Sequence, residues 1–150
     1  MKILFIVPYV PDRIRARSYH FIKGLTELGH QVRVLTLWAD EWERTSLEQL
    51  DEFCDEVYPF RMVRSHSLMN CIKALPTRNP LQSVYSWSPE VTNFLSNHFS
   101  NLASHETYDV IHVEHLRGAR YGLWLNRLFS ERGLSTPIVW DSVDCISLLF

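Results

Sequence analysis

The chain has 150 residues, of which 46% are hydrophobic and 21% are charged, an ordinary composition for one globular domain. Its net charge of −2 argues against a nucleic-acid-binding domain, which would normally be basic. The three cysteines, Cys54, Cys71 and Cys145, lack metal-ligand spacing and are typical of reduced thiols. With no signal peptide and no spanning segment, the sequence predicts a cytoplasmic protein, at most peripheral to the cytoplasmic face of a membrane.

Residues 2–37 predict one β-strand–α-helix–β-strand unit. Lys2–Val7 is a short apolar run typical of a strand buried on both faces, and Gln31–Leu37 repeats that pattern. Between them lies a helical stripe that Gly29 ends. The stripe consists of Ser18, Phe21, Ile22, Leu25 and Leu28. Because such a crossover is right-handed, the loop 8–17 is expected at the carboxyl edge of the sheet.

The loop before this helix carries three arginines, Arg13, Arg15 and Arg17. Cations are unfavourable at a helix N-terminus, where the unpaired N–H groups already carry partial positive charge. Asp12 is expected to cap the helix and to offset part of this cost. The cluster therefore indicates a site for an anion, most simply a phosphate group, and a solvated basic turn without a ligand stays open as the alternative.

Two further elements follow in chain order. Ser46 and Gln49 have the spacing of a capping box, which predicts a short helix beginning at Ser46. The buried side of that helix is expected to contain Leu47, Leu50 and Phe53. Residues 56–63 are extended, and Pro59 within them predicts an edge strand.

Residues 64–88 allow two interpretations. They contain a short apolar helical stripe formed by Leu68, Met69, Ile72 and Leu75. Basic residues flank the stripe, namely Arg61, Arg64, Lys73 and Arg78. A small packed helix with solvated charges is the simpler interpretation. The other is an amphipathic basic helix that lies on an anionic membrane surface.

The remaining elements continue the alternation of strand and helix. Ser88–Glu90 starts a helix with Pro at its first position, and Tyr108–Val113 is a fourth strand. Leu116–Arg132 is helical and ends at Gly133, and Pro137–Trp140 is a fifth strand. The pattern predicts an α/β fold, a three-layer α/β/α Rossmann-like domain with a parallel sheet of order 3-2-1-4-5.

In such a fold the ligand binds beyond the carboxyl ends of the strands. The loops at that edge bring together Arg13, Arg15, Arg17, Glu114, His115, Asp141 and Asp144. Arginines opposite carboxylates and an imidazole suit a phosphorylated or polyhydroxylated ligand. Glycine-rich nucleotide motifs and metal-ligand spacing are missing from the sequence, so neither a metal nor a bound cofactor is expected. Trp38 and Trp140, at strand ends, are candidates for stacking on a sugar ring, although core packing is the simpler interpretation.

Several segments together resemble a known family. They are KILFIVPYVPDR, RSYHFIKGLTELGHQVRVLTL, NPLQSVYSWSP, YDVIHVEHLRGARY and PIVWDSVD. In this order they resemble the N-terminal half of family 4 glycosyltransferases, which have the two-domain GT-B architecture. Among these the chain is most similar to bacterial sugar transferases of exopolysaccharide synthesis.

The resemblance implies the acceptor-binding half of a retaining glycosyltransferase, which moves a sugar from a nucleotide-sugar to an acceptor hydroxyl. The acceptor would be a sugar or a lipid-linked sugar in polysaccharide or glycolipid synthesis. The donor-binding half would follow Phe150, so residues 1–150 are expected to be a truncated N-terminal domain that is inactive alone. An apolar face left by the missing half would favour a homo-oligomer.

Site residues also follow from the resemblance. It implies a catalytic role for Asp141 and His115, and it implies acceptor binding by Glu114, Tyr85 and Asp144. Donor phosphate contacts would come from Arg13, Arg15 and Arg17, because the family's glycines are absent from this loop. His112, within the fourth strand, is expected to be a hydrogen-bonded core histidine. A non-catalytic binding domain that kept the fold is the alternative from a different functional class.

Overall fold

A computed structural model describes residues 1–101 and 107–142 of the chain. Its centre is a five-stranded sheet of order β3-β2-β1-β4-β5 in which every neighbouring pair is parallel. The strands are β1 (Lys2–Val7), β2 (Gln31–Trp38), β3 (Glu56–Arg61), β4 (Val110–Glu114) and β5 (Ile138–Asp141). The predicted fold class and strand order are therefore confirmed.

Helices cover both faces of the sheet. They are α1 (Ala16–Glu27), α2 (Glu41–Asp51), α3 (Arg64–Ala74), α4 (Leu81–Tyr85), α5 (Pro89–Asn101) and α6 (His115–Arg132). Helices α1 and α2 pack on one face, and α5 and α6 pack on the other. The result is the three-layer, Rossmann-like arrangement that parallel crossovers produce.

Strand β1 lies between β2 and β4 and divides its side chains between two cores. Leu4 and Ile6 belong to the core under α5 and α6, whereas Phe5 and Val7 belong to the core under α1 and α2. All four side chains are buried, as expected for a strand with helices on both faces. This burial on both faces explains why the apolar run in the sequence is continuous rather than alternating.

Strand β3 forms one edge of the sheet and pairs only with β2 among the described residues. Pro59 lies within it opposite Thr36, and the missing N–H of proline is tolerated there because an edge strand has one unpaired side. The edge position predicted from Pro59 is therefore confirmed.

The predicted start of α2 was wrong. The helix begins at Glu41, because Asp40 caps it by accepting a hydrogen bond from the Glu43 backbone N–H at 3.0 Å. The Glu43 carboxylate reaches back to the backbone N–H of Ala39 at 2.7 Å, which completes a reciprocal cap at Asp40 rather than at Ser46. Ser46 lies inside the helix and donates to the carbonyl of Trp42 instead.

The predicted buried stripe of α1 was partly wrong. Ser18 and Ile22 are buried as expected, but Phe21 and Leu28 are exposed, and Tyr19 is buried in their place. The buried side of α1 is therefore rotated so that the Tyr19 ring contacts the ring of Phe53, just after α2. Tertiary packing decided this rotation.

Helix α3 departs furthest from the simpler interpretation of residues 64–88. Its buried residues are Ser67 and Ala74, and its large apolar residues point to solvent. The exposed set is Leu68, Met69, Ile72 and Leu75. The packed helix with its apolar stripe inward was therefore the wrong interpretation. Within the described ranges, no helix combines the length and the apolar character needed to cross a bilayer.

Close packing of α6 against β4 generates a first prediction. A Cβ added at Gly118 would lie 3.0 Å from Cγ1 of the buried Val113, whereas one added at Gly24 in α1 would meet nothing within 4 Å. Gly118→Val should lower the free energy of unfolding by about 1–3 kcal/mol through overpacking. Gly24→Ala should raise it by about 0.5–1 kcal/mol through helix propensity. Urea unfolding of both variants measures this; equal stability of Gly118→Val and the parent would contradict the packing argument.

Candidate functional site

The strand order reverses at the boundary between β1 and β4, since β1 connects to β2 on one side and the later strands lie on the other. Loops leaving these two strands in opposite directions open a crevice at the carboxyl edge of an α/β sheet. Here the crevice is flanked by residues 8–15 after β1 and by the junction of β4 with α6. The site residues predicted from the sequence are found around it, with one exception outside the described ranges, Asp144.

A buried carboxylate forms the floor of the crevice. Glu114, the last residue of β4, is only 2% exposed, and its Oε1 accepts hydrogen bonds from Ser18 Oγ at 2.6 Å and from Tyr9 OH at 3.1 Å. The two hydroxyl oxygens also lie 2.9 Å apart. Tyr9, Ser18 and Glu114 thus form one network, here called the Glu114 network, which joins the β1 loop, α1 and β4.

The Glu114 network has unused hydrogen-bonding capacity. The second carboxylate oxygen, Oε2, is buried and has no hydrogen-bond partner among the described residues. Burial raises the pKa of Tyr9 to about 12, with Ser18 acting in the opposite direction and Glu114 reinforcing the rise. Tyr9 is therefore a neutral donor at physiological pH. A buried acceptor without a partner is costly, which suits a site that receives a donor from a ligand.

The residue after Glu114 has an unusual backbone. His115 has a φ of +65°, the only positive value at a described residue other than glycine. Its Nδ1 accepts the Arg117 backbone N–H at 3.2 Å, and its carbonyl accepts the indole N–H of Trp140 at 3.2 Å. Left-handed backbone at a non-glycine residue costs roughly 1–2 kcal/mol and is concentrated at functional sites. His115 turns the chain sharply from β4 into α6 and caps the new helix.

The three arginines do not converge on one point. Arg15 donates to Glu43 Oε1 at 2.6 Å and to the carbonyl of Val10 at 3.3 Å, which ties the β1 loop to α2. Arg17 donates to Asp141 Oδ2 at 2.6 Å, which ties α1 to the end of β5. Arg13 is exposed. Two of the three guanidinium groups thus have carboxylate partners, and phosphate binding by this cluster stays a prediction.

Asp12 also acts differently from the expected helix cap. Its Oδ1 accepts the backbone N–H groups of Ile14 and Arg15, both at 2.7 Å, so it closes a turn just before the helix. The cap position itself is Arg15, whose side chain makes no capping bond. The carboxylate of Asp12 is nevertheless buried, and it stabilises the path of the loop along the crevice.

Two more residues named from the sequence lie beside the crevice. Tyr85 ends α4, and the Arg117 guanidinium lies 5.6 Å from the centre of its ring, on the α6 side of the sheet. His112 points to the α1 side, stacked on Phe5 at 4.1 Å between ring centres and edge-on to Phe21 at 5.4 Å. Its Nε2 has no hydrogen-bond partner among the described residues, so the expected hydrogen-bonded core histidine was wrong in that respect.

A groove of about 540 Å³ adjoins the crevice between α4, α6 and β5. This volume is within the range of small-molecule sites. Trp140 is 51% exposed in its wall, which is mainly apolar and includes four polar residues. The polar lining residues are Asn79, Ser83, Arg120 and Asn126. The Trp140 indole also donates to the His115 carbonyl, which connects this groove to the junction of β4 with α6.

The site contains three residues that sequence reasoning missed: Tyr9, Ser18 and Arg117. Ser18 was counted as part of the apolar stripe of α1, although a hydroxyl on a buried helix face needs a polar partner and could have pointed to one. Tyr9 follows the central strand directly, where site residues are concentrated. Arg117 had no signal, since only the turn at His115 brings it against Tyr85.

Glu114 is the buried acceptor at this edge of the sheet. A carboxylate accepts hydrogen bonds and cannot donate them, so its complement is a ligand rich in hydroxyl or N–H groups. Within residues 1–101 and 107–142, no group of three or more His, Cys, Asp or Glu side chains is arranged to hold a metal ion.

Fold and site together define a Rossmann-like α/β domain with a polar crevice at its topological switch point. Comparison with protein-family models, with curated proteins and with solved structures gives no significant match for this chain.

The backbone of His115 generates a second prediction. His115→Gly and His115→Val both remove the imidazole, but glycine accepts φ near +65° and a β-branched residue does not. We expect the glycine variant to be more stable than the valine variant by about 1–2 kcal/mol in urea unfolding. A valine variant as stable as the glycine variant would show that the left-handed turn stores no strain.

A third prediction concerns acid stability. Burial lowers the pKa of His112 from its ordinary 6.5; the Asp141 carboxylate opposes this shift and the Arg17 charge supports it. The unfolded chain therefore binds a proton below about pH 6.5 that the folded chain resists, and stability falls as the pH drops through that range.

His112→Phe should reduce the loss of unfolding free energy between about pH 7.5 and pH 5 relative to the parent. Urea unfolding at both values measures the loss, with the exposed His20→Phe as the matched control. An unchanged loss in His112→Phe, or an equal reduction in the control, would contradict the assignment.

Proposed function

We propose that this domain binds a polyhydroxylated acceptor, a sugar or a lipid-linked sugar, as the acceptor-binding half of a retaining GT-B glycosyltransferase. In this proposal a nucleotide-sugar donor is held by a second Rossmann-like domain, and the transferred sugar goes to an acceptor hydroxyl in polysaccharide or glycolipid synthesis. The cytoplasmic location predicted from the cysteines belongs to the same proposal. The resemblance of five sequence segments to family 4 glycosyltransferases and the observed strand order support it.

The observation that carries the proposal is the Glu114 carboxylate. Its Oε1 is occupied by the two hydroxyl groups of the network, while its buried Oε2 has no partner in the described part of the chain. A hydroxyl of a sugar is a donor of the right size and polarity for such an oxygen. A buried acceptor at a switch point favours a sugar over an anion, which a carboxylate would repel.

The groove beside Trp140 supports the same ligand class. The flat face of an indole packs against the apolar face of a pyranose ring, while amide and hydroxyl side chains bind the ring's hydroxyl groups. The amide and hydroxyl side chains of Asn79, Ser83 and Asn126 offer that combination around Trp140.

Asp141 and His115 have definite places in this proposal. Asp141 lies at the rim, and Arg17 holds one of its carboxylate oxygens at 2.6 Å, so the ion pair orients it beside the crevice. It would accept a hydrogen bond from the reacting hydroxyl. The His115 imidazole faces the helix start through Nδ1 and lies edge-on to Tyr9, with 6.2 Å between ring centres. Its contribution is to hold Tyr9 and the α6 start in position.

A non-catalytic sugar-binding domain is the second candidate, and the β1 loop favours it. Val10, Pro11 and Asp12 are buried, and Arg15 fastens the loop to Glu43. Without glycine the loop backbone cannot approach a donor phosphate closely. The two candidates differ in whether a nucleotide-sugar contributes to binding.

The fourth prediction tests acceptor binding directly. Saturation-transfer NMR and titration calorimetry are carried out with methyl glycosides, a nucleotide-sugar and inorganic phosphate as separate probes. Glu114→Gln removes the negative charge while keeping the shape, and the affinity for the bound glycoside should fall about tenfold. Glu131→Gln, at an exposed glutamate on α6, is the matched control and should bind like the parent.

Circular dichroism and thermal melting show whether each variant keeps the fold. Glycoside binding that is equal in Glu114→Gln and the parent would remove the site from the proposal, and absence of glycoside binding by the parent would remove the proposed function. A further titration adds a donor domain and the nucleotide-sugar. If glycoside binding does not change, the non-catalytic candidate is favoured.

A further inference from the structure

Helix α3 packs on the domain with its small and polar side. Ser67 and Ala74 are buried, and the Asn70 side chain donates to the carbonyl of Trp87 at 2.8 Å. No leucine, isoleucine or methionine of the helix is buried. This reverses the usual orientation of a surface helix, whose apolar stripe faces the core.

The solvent side of α3 is a continuous apolar face, consisting of Leu68, Met69, Ile72 and Leu75. Their exposed fractions are 61%, 49%, 50% and 67%. At 3.6 residues per turn the four positions fall within a sector of about 120°, so they form one surface. Apolar faces of this kind mark interaction sites.

Charge around this face is predominantly basic. Residues 57–89 contain four Lys or Arg and no Asp or Glu, a formal charge of +4 in a chain whose net charge is −2. Arg64 and Lys73 lie in α3 on opposite sides of the apolar face, and Arg78 follows in the next turn. Arg64 has one carboxylate nearby, Asp40 at 3.7 Å, and that pair is open to solvent and weak.

We propose that α3 docks on an anionic lipid surface, with its apolar face inserted at the headgroup level and its basic residues in contact with the lipid charges. A helix with a basic border around Leu, Ile and Met residues is the form that binds in the plane of a membrane interface. Charge complementarity commits the surface to this occupant, because the predominantly basic border matches an anionic bilayer. The inference stands independently of the proposed function.

The fifth prediction tests lipid docking by co-sedimentation of the full chain with vesicles. Binding to phosphatidylcholine vesicles that contain about 30% phosphatidylglycerol should exceed binding to phosphatidylcholine alone, and about 0.5 M salt should weaken it. Leu68→Glu/Leu75→Glu should lower the partition coefficient at least about tenfold. Leu28→Glu/Leu123→Glu makes the same changes at leucines that are 75% and 73% exposed elsewhere, and it should bind like the parent.

A second pair of variants tests the charge separately. Arg64→Gln/Lys73→Gln should weaken binding to anionic vesicles by about fivefold for each residue. Arg44→Gln/Arg127→Gln, at exposed arginines on α2 and α6, removes the same charge from other faces and should cause a smaller loss. Circular dichroism and thermal melting of all variants check that the fold is kept, and the exposure of the substituted side chains favours that result.

Three results would overturn the proposal. One is absence of binding to anionic vesicles at low salt. Another is an equal loss of binding in the Leu68/Leu75 variant and its control. The third combines two observations: the chain does not bind vesicles, and sedimentation velocity shows that it self-associates without lipid unless it carries Leu68→Glu/Leu75→Glu. That result would assign the face to a second copy of the chain.

Discussion

Burial of β1 on both faces is the constraint on which the rest of this structure depends. Five consecutive apolar residues point to both faces of the sheet, so one layer of helices cannot shield them all. One layer of helices must therefore cover each face. Parallel pairing of β1 with β2 and β4 then brings the carboxyl ends of all three strands to one edge. The crevice is a consequence of this arrangement, because the chain leaves β1 and β4 toward opposite faces.

Polar interactions then fix the loops at that edge. The ion pair of Arg15 with Glu43 joins the β1 loop to α2, and the Glu43 side chain is only 9% exposed, so its pairing matters more than that of a surface bridge. Arg17 and Asp141 join α1 to β5 in a more exposed pair. Between these bridges Ser18 and Tyr9 bind Glu114. Two of the three arginines that the sequence grouped in this segment are thereby paired with carboxylates, and Arg13 is exposed.

The domain thus has two regions with different chemistry. The crevice at the strand ends is polar and holds its acceptor groups through hydrogen bonds between secondary-structure elements. Helix α3 carries apolar side chains outward and basic ones beside them. Both features are costly for an isolated domain, the first because a buried oxygen has no partner within the described part of the chain and the second because apolar surface faces water. Such costs persist in native proteins where a ligand or a surface offsets them.

Much of the fold could be predicted from the sequence because it rests on local patterns. The apolar run Lys2–Val7 required a doubly buried strand, Pro59 required an edge, and Gly133 ended α6 with a left-handed residue at φ +66°. Position along the chain was enough to bring Glu114, His115 and Asp141 to one edge. Which side chains pair was decided only by the tertiary structure, because the partners are distant in sequence. Arg15 bonds to Glu43, and Ser18 bonds to Glu114. The orientation of α3 was decided in the same way, since a helical stripe specifies which residues share a face and leaves the direction of that face to the packing around it.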